Sequence, residues 1–137
     1  MTRLFAFAGI VGKAMNRSGG VMRFLTFISI LLSPLAFAGE VRIVDARVEC
    51  SSSCTFAVTL EHGDEGWDHF ANLWDVVTLD GELLGSRVLY HPHVDEQPFT
   101  RSLSGVIIPA GVSQVKVRAR DSVHGYSAQE FVLDIPG

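Results

Sequence analysis

The chain has 137 residues, 47% of them hydrophobic, with 13 Gly and 5 Pro. That suits one domain with a packed core and excludes both a disordered chain and a collagen-like one. Residues 1–38 carry four bases and no acid, whereas residues 39–137 hold seven bases against fifteen acids, a formal net charge of −8; this argues against nucleic acid as a partner and favours cations.

The first segment reads as an address. From Met22 the chain gives Arg23, the apolar run Phe24–Leu32, then Ser33-Pro34-Leu35-Ala36-Phe37-Ala38. A charged start, a short apolar stretch and an Ala-x-Ala site are the three parts of a secretory signal peptide. The run is too short for a hydrocarbon layer of about 30 Å, so no stable membrane span is expected after signal cleavage. The expectation is translation from Met22, with residues 1–21 an N-terminal extension, and cleavage after Ala38. A single domain over 39–137 then follows, periplasmic or secreted.

Export agrees with the cysteines. Cys50 and Cys54 are the only two, spaced C-x3-C, and in an oxidising compartment such a pair is expected to close a disulfide. No second pair is present to complete a four-sulfur zinc site.

Beyond the leader, seven short strands are predicted: 41–48, 55–61, 73–79, 82–90, 99–108, 113–120 and 130–135. Phe56, Val58 and Leu60 share one face; Val115, Val117 and Ala119 share another, with Gln114, Lys116 and Arg118 outward. Asp80-Gly81 predicts a two-residue hairpin turn. No window sustains a helical apolar period. The fold class expected is all-β, an immunoglobulin-like antiparallel β-sandwich.

Alternate connections of such a meander emerge at the same end. Three of them are His62-Gly-Asp-Glu-Gly-Trp-Asp-His69, His91-Pro-His93-Val-Asp-Glu-Gln-Pro98 and Asp121-Ser-Val-His124. All five histidines of the chain are therefore predicted on one rim, with the Cys50–Cys54 loop at the other. Neutral imidazole is a common transition-metal ligand, and carboxylates supply charge and orient the rings. The candidate metal residues are His62, His69, His91, His93 and His124, with Asp68 and Asp121 as charge or orienting partners. Copper, iron and zinc all suit that set; no calcium-loop pattern occurs. His91 and His93 alternate along an extended backbone, so one is expected to face a ligand while the other packs. The bland alternative is equally concrete: histidines as loop struts, and Asp64, Asp68 and Asp121 as turn residues bonding backbone N–H groups. Trp67, Trp74, Phe70 and Phe99 read as core or rim packing, and Arg101 as a loop-anchoring ion pair. No nucleophile elbow or phosphate loop is present, so an enzyme is not the favoured reading.

Three resemblances bear on these motifs. The stretch Ile108-Pro-Ala-Gly-Val-Ser-Gln-Val-Lys-Val-Arg-Ala119 resembles the late strands of fibronectin type III domains, without the usual corner tyrosine. The segments His62–Ala71, His91–Ser102 and Arg120–Tyr126 resemble a family of small, uncharacterised secreted bacterial proteins, which implies no activity. The order of His62, Asp68-His69 and a late His124-Gly-aromatic loop is similar to the iron domain of superoxide reductases (desulfoferrodoxins). That likeness implies His62, His69 and His124 as iron ligands, with Asp121 standing where the family has a cysteine thiolate. The function expected is an exported protein binding a transition metal for storage, delivery or sensing, with another periplasmic protein as a further partner. The alternatives are a binding or adhesion module for a protein or glycan, and a redox metalloprotein of the superoxide-reductase kind.

Overall fold

The computed structural model describes residues 39–137; the extension and signal peptide expected over residues 1–38 lie outside the described residues. Seven strands form: β1 (Arg42–Cys50), β2 (Cys54–Glu61), β3 (Ala71–Thr78), β4 (Leu83–Val88), β5 (Phe99–Val106), β6 (Gln114–Asp121) and β7 (Gly125–Asp134). They make two antiparallel sheets, of order β1-β2-β5 and β4-β3-β6-β7. This is the expected all-β sandwich. Among the described residues no helix is long and apolar enough to cross a membrane.

The alternation read from sequence sets the core. Phe56, Val58 and Leu60 of β2 and Val115, Val117 and Ala119 of β6 are fully buried, with Trp74 and Val76 of β3 between them and Phe99 from β5. A period of two puts every second side chain on the inner face, and interdigitation of the two inner faces removes that area from water.

Most strand ends shift from expectation by one or two residues, and two departures have specific causes. β7 begins at Gly125 rather than residue 130, because Tyr126 pairs with Arg120 and Gly125 with Asp121; cross-strand pairing overrides the weak strand preference of Ser127-Ala128-Gln129. The β3–β4 turn is one residue longer than a two-residue hairpin. Gly81 N donates to Thr78 O (2.9 Å) and Thr78 N to Glu82 O (2.9 Å), leaving Leu79, Asp80 and Gly81 as the loop. Gly81, at φ +91°, supplies the left-handed residue that such a three-residue loop requires.

Side chains fasten the layers. Asp75, buried on β3, accepts from Ser86 Oγ of β4 (2.5 Å), Arg118 Nε of β6 (3.2 Å) and Tyr126 Oη of β7 (2.5 Å), so one carboxylate ties all four strands of its sheet. The Gln129 amide of β7 accepts from Ile43 N (2.8 Å) and donates to Ile43 O (3.0 Å), joining β7 to β1 in the other sheet. The Cys50–Cys54 disulfide closes the β1–β2 hairpin. Registers Leu60↔Phe99, Ala71↔Asp121 and Leu73↔Val88 bring the β2–β3, β4–β5 and β6–β7 loops to one end; Cys50↔Cys54 lies at the other.

Candidate functional site

Two strands deliver their last inward-facing side chains to the histidine rim. The inner face of β2 runs Phe56, Val58, Leu60 and continues to His62, only 3% exposed; that of β6 runs Val115, Val117, Ala119 and continues to Asp121, fully buried. The same period of two that builds the core therefore ends it with an imidazole and a carboxylate. Burial of these polar groups at the edge of an apolar core is tolerable only with partners.

Those partners are specific. His62 Nδ1 lies 2.5 Å from Asp64 Oδ1, and its Nε2 is 3.0 Å from the carbonyl oxygen of Gly39. Asp64, itself buried, also accepts from Ala71 N (3.0 Å) and from His93 N (2.7 Å). Gln97 accepts from His62 N (3.0 Å) and donates to His93 O (3.0 Å). Across the other flank, Phe70 N donates to Ser122 Oγ (3.1 Å) and Ser122 N to Phe70 O (2.9 Å). The three loops are thus bonded into one rim.

Asp121 organises the last loop. Its Oδ1 accepts from Val123 N (2.8 Å) and His124 N (2.7 Å), and the His124 ring approaches through Nδ1 at 3.1 Å. Burial pushes the Asp121 carboxyl up, but these two amides and the His124 ring outweigh it and hold it below the ordinary carboxylate value. His69 stands between the two flanks, its ring edge-on to His62 (4.8 Å between centroids) and to His124 (5.0 Å). His69 Nε2 is buried, 3.2 Å from Asp121 Oδ1, and has no hydrogen-bond partner of acceptable geometry. One ligand atom from each of His62, His69 and Asp121 lies within 4.8 Å of the others.

The remaining two histidines form a separate pair. Their rings are neighbours, 4.6 Å apart and tilted by 40°, because the loop turns instead of staying extended. His93 is buried and stacked on Phe99 at 3.9 Å, with neither ring nitrogen hydrogen-bonded; burial, then the nearby Arg101 and His91, lower its pKa. His91 is exposed. Beside them an open groove of about 580 Å³ is lined by Trp67, His91, Pro92, Val94, Asp95 and Glu96 among others. Trp67 is 69% exposed and edge-on to Phe70, so of the core and rim placements open to it, it takes the rim. Arg101 pairs with Glu96 (3.0 Å).

Of the residues singled out in the sequence, His62, His69, His124 and Asp121 come together, His91 and His93 form the second pair, and Asp68 is exposed and outside both groups. Two residues carry more than the sequence suggested. Asp64 read as a turn residue, and its same-parity spacing from His62 was the signal that it also faces inward. Gly39 gave no signal at all: its contacts are with residues 23 and 85 positions away.

The chain is similar to a protein of Halomicrobium mukohataei named "Putative lipoprotein", with 41% identity over 97 residues, covering 69% of this chain. The match takes in 47% of the relative, so the chain spans about half the length of the curated relative it matches. No family model matches the chain, and no solved structure matches it.

Proposed function

We propose that this is an exported β-sandwich protein that binds a transition metal ion at the rim, through His62, His69 and Asp121 with His124 beside them, for storage, delivery or sensing. The observation that carries the reading is His69 Nε2, a buried nitrogen without a hydrogen bond, facing a buried carboxylate and a second imidazole. An orphaned buried nitrogen costs stability unless something fills it. His62 Nδ1 rests on the Asp64 carboxylate, as the non-coordinating nitrogen of a metal-binding histidine does, and its Nε2, now on the Gly39 carbonyl, would exchange that oxygen for the ion. Tetrahedral ligands at about 2.1 Å from an ion stand about 3.4 Å apart, so the 4.8 Å spread closes by roughly 1.4 Å on binding. Nitrogen with carboxylate suits copper, iron or zinc. Export is supported by the leader-like sequence and by the relative's name.

A second reading, recognition of a protein or glycan by the rim, is favoured by the groove beside the His91–His93 pair, with Trp67, Tyr90 and Val94 all exposed. The superoxide-reductase reading needs a thiolate on the iron, and both cysteines of the chain are joined at the opposite end. The deciding experiment expresses the full chain without a polyhistidine tag and recovers the exported form. Its metal content is measured by mass spectrometry, and thermal melts follow with added copper, zinc and iron. The expected result is stoichiometric metal, lost in His69→Ala and Asp121→Asn but kept in His91→Ala. Melting should shift by the equivalent of about 2.7 kcal/mol at a hundredfold excess of ion over Kd. An exported form empty of metal, with melts that ignore every ion, overturns the reading in favour of recognition loops.

A further inference from the structure

Gly39 touches the cluster from a direction no loop supplies. Its carbonyl oxygen is 3.0 Å from His62 Nε2. On its other side the backbone lies so close to the third imidazole that an added Cβ would stand 2.8 Å from His124 Cε1 and 3.4 Å from Nε2. Its φ of +105° is a conformation that residues with a side chain rarely adopt. Sterics and backbone geometry thus both require glycine here, and they hold its main chain between two histidines of the site. By standard backbone dimensions its nitrogen lies only about 3–4 Å from its own carbonyl oxygen.

In the unprocessed chain that nitrogen is an amide, which is neither basic nor a good ligand. Cleavage after Ala38 turns it into a primary amine with an ordinary pKa of about 8, a nitrogen donor once deprotonated. We propose that the Gly39 α-amine made by signal-peptide removal is a ligand of the rim metal, so that maturation completes the site. The inference rests on the proposed metal-binding function and on cleavage at that bond. It accounts for a glycine held against His124 and for a cluster whose protein ligands, His62, His69 and Asp121, number one fewer than a closed tetrahedral site holds. It also makes metal capture a property of the exported form, since a chain still carrying its leader lacks the donor.

The test is open to clean chemistry, because residues 39–137 contain a single lysine, Lys116, which pairs with Glu130 on β7, away from the rim. In a Lys116→Arg background the α-amine is the one primary amine of the processed protein. The full chain is expressed with its leader, the exported form is recovered, and its mass is measured; Gly39 is the expected first residue. Half is then acetylated, and copper(II) and zinc(II) affinities of both halves are measured by competition titration, with His69→Ala as the reference for loss of the site. Acetylation is expected to weaken binding at least 10-fold, because it removes the lone pair that the amine would offer the ion. Equal affinities with and without the acetyl group, while His69→Ala abolishes binding, overturn the amine and leave the metal site standing. Binding by neither form overturns both, and a first residue other than Gly39 overturns the amine outright.

Discussion

His93 holds two buried ring nitrogens with no hydrogen bond and a ring stacked on Phe99. Burial, Arg101 and His91 all disfavour its charged form, so its pKa lies below 6.5. The sign follows: the unfolded chain takes up the proton first, so the stability is present above about pH 6.5 and is lost as pH falls through the folded value. His93→Phe should remove this acid sensitivity in urea melts taken across the range, while changing stability near neutral pH by less than about 1.5 kcal/mol. An unchanged acid slope would place the titration elsewhere. The histidines themselves were legible as residues, since their loops follow from strand alternation. Which of them would share a cluster was not. That depended on the turn at His91–His93 and on Asp64 reaching His93 across 29 positions, a separation that no local pattern encodes.

At the scale of the element, strands β2 and β6 were the easiest to read, because each alternates cleanly between apolar and polar residues. β7 was the hardest; its first half has no apolar alternation and is held by Tyr126 and Gln129 reaching other strands. Asp75 was illegible for the same reason: it interrupts the apolar run around Trp74, and its partners lie 11, 43 and 51 residues away. Burial, then the Asp75 hydrogen bond and charge, raise the Tyr126 pKa above its ordinary value. A raised folded pKa means stability fully present below about pH 10 and lost as pH climbs through the folded value. Tyr126→Phe should flatten that alkaline loss and cost about 1 kcal/mol at neutral pH. Denaturant titrations of the two proteins at neutral pH and above pH 10 check both; retention of the alkaline loss in the variant would assign it to another group.

Across the whole molecule, the staple and the candidate site occupy opposite ends of one sandwich. A five-residue disulfide loop restricts the unfolded chain by about 2 kcal/mol, and its removal leaves no group near the rim unpaired. The Cys50→Ser, Cys54→Ser double variant is therefore expected to unfold at lower denaturant, by that amount, and to bind metal with affinity within about twofold of the parent. A large loss of affinity would mean that the two ends communicate through the core. Placement of the ends was readable because antiparallel order alone fixes which connections share a rim. The sequence was silent on the segment that enters the rim from before β1, where Gly39 sits.

The bonds among the three rim loops have a consequence for how such a surface can change over evolution. Gln97 spans two loops, Asp64 spans the same two, and Ser122 stitches the third to Phe70. An inserted residue in any one of them would strain the anchors held by its neighbours, so length changes must arrive together or not at all. Recognition loops that diversify partner by partner vary independently on a fixed frame. Here the frame extends to the loops themselves, and the side chains that can change without disturbing it are exposed ones, Trp67, Val94 and Val123 among them.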